Sequence, residues 1–129
     1  MRRVITFGTF DVFHVGHLLL LERARKLGDY LIVGVSTDSL SIGKKNRAPV
    51  YAQDERLRIV EALKAVDEVF LEESLDKKRE YLIQHRANVL VMGDDWRGRF
   101  DEFNDVCEVV YLARTPAIST TATIERIKS

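Results

Sequence analysis

Cysteine is almost missing from this 129-residue chain, where Cys107 stands alone. One thiol closes no disulfide within the chain, so a cross-linked secreted scaffold is excluded and a reducing compartment, the cytoplasm, is expected. An excess of one charge is missing too. Twenty lysines and arginines balance 20 aspartates and glutamates, so net charge points neither to nucleic acid nor to an anionic membrane surface. No apolar run approaches the ~20 residues that cross a bilayer, and Met1 leads directly into a strand pattern without a signal-peptide signature. Repeats, low-complexity tracts and linkers are also absent. The length suits one core, and a single domain over residues 1–129 is expected.

What the chain does have is alternation. Val4–Thr6 reads as a strand, and Leu18–Leu27 as a helix stopped by Gly28. Asp29–Thr37 is a near-continuous apolar run of the kind found in buried parallel strands. The pattern breaks from Asp38 to Val50. A helix then opens at Ala52–Glu55 with Ile59, Leu63 and Val66 on one face. Glu68–Leu71 is a short strand, Leu75–His85 a helix and Ala87–Met92 a strand. A short helical piece is expected around Glu102–Asn104, followed by a strand over Cys107–Leu112 and a helix over Thr121–Ile127. This predicts an α/β fold: a single Rossmann-like, doubly wound domain with a five-stranded parallel sheet and helices on both faces.

Ligands of such sheets bind beyond the carboxyl ends of the strands, at a switch point in strand order. The unusual residues all fall at that edge. Gly8–His17 follows the first strand, Thr37-Asp38 and a basic loop the second, Gly93–Trp96 the fourth, and Arg114–Thr121 the fifth. The first of these stretches is central. His14 and His17 stand where a strand turns into a helix, and free N–H groups with the positive helix end make an anion site there. Gly8 and Gly16 remove side chains where a ligand approaches the backbone. Two imidazoles also suit zinc, but zinc needs further protein ligands and Cys107 lies far along the chain.

The other segments carry their own signals. The 38–50 stretch is long for a connection and holds Lys44, Lys45 and Arg47, which reads as a basic lid or as a solvated loop. It is not a Walker A loop, because no Ser or Thr follows Lys44. Arg56 heads the apolar stripe of its helix near the N-terminus, where a cation requires an anionic partner, in Asp54 or Glu55 or in a ligand. Lys77-Lys78-Arg79 reads as a solvated helix face. Gly93-Asp94-Asp95-Trp96 is either an acidic turn or a pocket wall in which carboxylates accept from hydroxyl or amino groups. Ser119, Thr120 and Thr121 offer a helix cap and a second phosphate cradle, with Arg114 and Thr115 just upstream.

Gly8-Thr9-Phe10-Asp11 and His14-Val15-Gly16-His17 resemble the GxFD and HxGH signatures of the nucleotidylyltransferase superfamily. Met92–Trp96 with Gly98–Asp101 is close to the MGDDWxGKFD pattern of the glycerol-3-phosphate cytidylyltransferases, and Arg114–Thr121 to their RTxGISTT segment. The resemblance spans nearly the whole chain and joins these motifs in order. It implies CTP and glycerol 3-phosphate as substrates, CDP-glycerol and pyrophosphate as products, and direct in-line attack with no covalent enzyme intermediate. It places His14, His17 and Arg114 on the triphosphate, with Ser119 and Thr120 on its outer phosphates. Gly8, Thr9, Phe10, Gly16, Arg56, Gly93, Asp94, Thr115 and Thr121 complete the implied CTP side.

On the acceptor side the resemblance implies Lys44, Lys78, Asp95, Trp96 and Asp11, the last also as an orienter of hydrated Mg²⁺ arriving with the triphosphate. A second loop lysine of the family falls near Asn46 or Arg47 here. Lys64 stands where relatives carry arginine, and Ala117 where glycine is frequent. A homodimer and a place in teichoic-acid or capsule synthesis are likewise implied, with no nucleic acid, no membrane and no protein-held metal. Two alternatives stay open: a nucleotidylyltransferase using ATP or another phospho-alcohol, and a nucleotide-binding regulatory domain without turnover. Pyrophosphate release with CTP and glycerol 3-phosphate separates all three.

Overall fold

The computed structural model of the chain describes residues 1–113 and 120–128, with the backbone alone for 120–123. Five strands form: β1 (Arg3–Gly8), β2 (Tyr30–Ser36), β3 (Glu68–Glu72), β4 (Val89–Gly93) and β5 (Glu108–Leu112). Helices α1 (Val15–Arg25), α2 (Asp38–Lys45), α3 (Gln53–Glu61), α4 (Lys78–Gln84) and α5 (Thr120–Lys128) complete the pattern. Short 3₁₀ turns cover Leu75–Lys77, Asp94–Trp96 and Asp101–Asp105. All strand pairs are parallel and the order is β3-β2-β1-β4-β5.

The strands are apolar on both sides because both sides are covered. Val4, Leu31, Val33, Val35, Val89 and Val91 pack with Leu21 and Ala24 of α1 and Val60 of α3. On the opposite face Ile5, Ile32, Leu90 and Met92 pack with Leu82 of α4 and with Phe103. Gly34 is required in β2, since a Cβ there would lie 2.6 Å from the Phe7 ring and 2.8 Å from that of Phe70. The chain changes faces between α3 and α4. The carboxyl ends of β1 and β4, where strand order reverses, therefore flank a crevice.

One expected loop is a helix. Residues 38–45 of the 38–50 stretch form α2, started by Thr37, whose hydroxyl accepts from the Leu40 N–H at 3.2 Å. It ends at Asn46 in the left-handed region, φ 57°. Gly43 inside it and a mostly polar composition hide the helix from periodicity. The first helix also begins three residues earlier than its apolar run, because His14 caps it.

Candidate active site

His14 is the N-cap of α1, and the cap is built from imidazoles. Nδ1 of His14 accepts from the Gly16 N–H at 3.0 Å, and Nδ1 of His17 accepts from the His14 N–H at 3.2 Å. This is a capping box in which histidines take the places usual for Ser and Glu. A nitrogen that accepts from an amide carries no proton, so each neutral ring holds its hydrogen on Nε2. The two rings stack with centroids 3.9 Å apart. Burial lowers the pKa of His14. Burial first, then repulsion from His14 and Lys45 against an opposing pull from Asp11, lowers His17 to about 4. Both rings are thus neutral Nε2–H donors at pH 7, fixed at a helix start where N–H groups already favour anions.

The loop leading to this cap is strained. Phe10 and Val12 lie at φ 54° and 46°, and for a β-branched valine this is a rare conformation. Tertiary contacts hold it there. Both carboxylate oxygens of Asp11, between the two, accept backbone N–H groups, from Val50 at 2.6 Å and Tyr51 at 2.8 Å. Asp11 is only 7% exposed, and its oxygens tie the histidine loop to residues 50–51. The ring of Phe10 is buried, packs over Gly8 where a Cβ would meet it at 2.9 Å, and stands edge-on to His17. Gly8 thus serves Phe10 as well as any ligand, whereas Gly93 faces open space.

Arg56 is fully buried. Its Nε donates to the Tyr51 carbonyl at 2.9 Å, and Nη1 to those of Thr9 (2.7 Å) and Ser36 (2.8 Å). Its Nη2 meets Asp38 Oδ1 at 2.7 Å. The anion that offsets the helix dipole is Asp38, and Arg56 braces the loop that leads to the histidines.

Beside the histidines a cavity of about 560 Å³ opens at the carboxyl ends of the strands. Gly8 and Thr9, Lys44 and Lys45 of α2, and the buried pair Glu72 and Lys78 line it. Asp95, Trp96 and Arg99 close the far wall. The imidazoles are not part of this wall. Lys45 connects the two regions, lining the cavity while repelling the proton of His17. Lys45 thus joins Lys44 at the cavity, while the backbone of Asn46 forms the left-handed cap of α2. Lys78 is not on a solvated face: it is 4% exposed, with Nζ 2.5 Å from Glu72 and 3.6 Å from the centre of the Phe7 ring. Asp94 turns outward to Arg97 at 2.8 Å and lies outside the cavity wall, while Trp96 is part exposed over Phe100.

Arg114, Thr115 and Ser119 lie outside the described residues, as do the side chains of Thr120 and Thr121. Among the described residues no three His, Cys, Asp or Glu side chains gather to hold a metal ion. Sequence reasoning missed Ser36 and Glu72. The one available signal was a charged residue closing the apolar strand at Glu72.

The chain belongs to the cytidylyltransferase-like family, whose model matches residues 5–126. It is 50% identical over 127 residues to the glycerol-3-phosphate cytidylyltransferase of Bacillus subtilis (strain 168), covering 98% of either chain. It is 46% identical over 121 residues to that of Staphylococcus aureus (strain NCTC 8325 / PS 47), covering 94% of this chain and 91% of the relative. Among solved structures, a lipopolysaccharide core biosynthesis protein from Thermoplasma volcanium GSS1 matches with a TM-score of 0.77 at 26% identity, over 89% of this chain and 98% of that one.

Proposed function

We propose that this chain transfers the cytidylyl group of CTP to glycerol 3-phosphate, releasing pyrophosphate and CDP-glycerol. The observation that carries the reading is the imidazole-built cap of α1, with two fixed Nε2–H donors at the switch point of the sheet. The near-full-length relatives named above supply the substrates. An oxygen of the acceptor phosphate bonds to the α-phosphorus as the bond from that phosphorus to the pyrophosphate oxygen breaks. His14 and His17 donate to the triphosphate, and these contacts strengthen as charge moves onto the leaving group. Neutral rings add no net charge, so Lys44, Lys45 and Lys78 supply it, with the acceptor held in the cavity between them and Trp96.

By their motifs, Arg114, Thr115, Ser119, Thr120 and Thr121 belong to the triphosphate side, and Gly93 and Asp94 to the base. Mg²⁺ enters on CTP as part of the substrate. A homodimer, a cytoplasmic setting and supply of CDP-glycerol to teichoic-acid or capsule polymers complete the proposal. The test is pyrophosphate release, with CDP-glycerol identified by mass. CTP with glycerol 3-phosphate should far exceed ATP with glycerol 3-phosphate, and CTP with phosphoethanolamine, because a polar site built for one partner leaves groups unpaired with another. Equal turnover with ATP would refute the donor assignment.

A further inference from the structure

Glu72 closes β3 opposite Ser36, the last residue of β2, and both are buried to within 1%. Its two oxygens serve two lysines from different helices. Oε2 takes Lys78 Nζ of α4 at 2.5 Å. Oε1 accepts from Ser36 Oγ at 3.2 Å, and that oxygen accepts from Lys44 Nζ of α2 at 2.9 Å. Both lysines line the cavity that also holds Lys45, with Asp95, Arg99 and Glu102 as its other charged residues. A carboxylate beneath an anion site repels the anion, and a buried ion pair adds little stability over apolar packing. Its presence needs a reason in the lysines it gathers.

We propose that Glu72 is a positioning residue for the acceptor phosphate: acting directly on Lys78 and through Ser36 on Lys44, it assembles a two-ammonium cradle in the cavity wall before substrate arrives. The identity of the acceptor rests on the proposed function; the cradle itself does not. Two ammonium groups and one carboxylate leave a surplus positive charge facing the cavity, increased by Lys45. Burial pushes Lys44 and Lys78 below the ordinary lysine value, and Glu72 opposes this at both. At Lys44 the charges of Lys78, Lys45 and Arg56 act with burial. Without the carboxylate both lysines lose protons at lower pH.

The test compares wild type with Glu72→Gln, which keeps the shape and removes the charge, and with Glu72→Asp and Ser36→Ala. In the substrate-free protein, NMR of lysines labelled at Cε should show Lys44 and Lys78 titrating lower in Glu72→Gln by about one pH unit or more. Ser36→Ala should displace Lys44 more than Lys78. In turnover, the alkaline limb of kcat/KM for glycerol 3-phosphate should move down by the same amount. The KM for glycerol 3-phosphate should rise about tenfold, as loss of one charge-assisted contact implies, with the KM for CTP nearly unchanged and Glu72→Asp recovering part of the loss. A folded Glu72→Gln protein with wild-type lysine titrations, or with a wild-type alkaline limb and acceptor KM, overturns the proposal. If Glu72→Gln does not fold, Ser36→Ala decides it, and an unmoved Lys44 titration overturns it. If the wild type shows no turnover with CTP and glycerol 3-phosphate, the proposed function fails while the titrations alone judge the cradle.

Discussion

Replacing His17 with asparagine should make the protein less sensitive to acid. Asparagine keeps an oxygen where Nδ1 accepts from the His14 N–H, so the cap of α1 is retained while the titrating ring is lost. In the folded chain His17 is lowered to about 4 from an ordinary 6.5. Between those values the unfolded chain binds a proton that the folded chain refuses, so stability falls as pH falls. The whole difference is about 3 kcal/mol, of which almost nothing is lost at pH 7 and about 2 kcal/mol by pH 5. Urea unfolding of substrate-free protein at pH 7.5 and pH 5, in buffers without phosphate, measures it. Wild type should lose about 2 kcal/mol more than His17→Asn across that interval. His14 is present in both proteins and largely cancels. Parallel losses would refute the claim that a buried neutral ring accepts the His14 amide, and with it the tautomer assigned to the site.

Two further outcomes concern turnover. Because each histidine supplies a fixed donor to a developing charge, His14→Asn and His17→Asn should each lower kcat by about 10²–10³, with circular dichroism and metal content unchanged; near wild-type kcat in a folded, metal-free variant would remove the core of the reading. Lys44→Ala should raise the KM for glycerol 3-phosphate more than that for CTP, measured by varying each substrate at saturating levels of the other.

The edge of the sheet that carries the site was legible because motif residues fell after successive apolar runs, and the structure brings Gly8, Thr9, Lys44, Lys78, Asp95 and Trp96 together at one cavity there. The imidazole pair was legible as an anion site, but its tautomers depend on which amides the rings cap, and that needs three-dimensional contacts. Helix α2 was hidden because it is only two turns long, mostly polar and interrupted by Gly43, though Thr37 and Asn46 mark its two ends. Arg56 could be seen heading an apolar face. That its guanidinium binds three carbonyls from Thr9, Ser36 and Tyr51 follows only from a sheet that brings those segments together. Glu72 showed only as a charge closing an apolar strand, and its role was hidden for the same reason: its partners lie 36 residues before it and six after it.

The ties made by Asp11 and Arg56 have a consequence for redesign. The histidine loop, the start of α2 and the turn at Val50–Tyr51 are knotted to one another by part-buried bonds, the first and last directly through Asp11. A protein engineer who shortens or lengthens the segment between α2 and α3 to admit a bulkier alcohol therefore edits the nucleotide side as well. New acceptors are best sought by changing the far wall at Trp96 and Arg99, which these ties do not reach, leaving residues 46–52 at their present length.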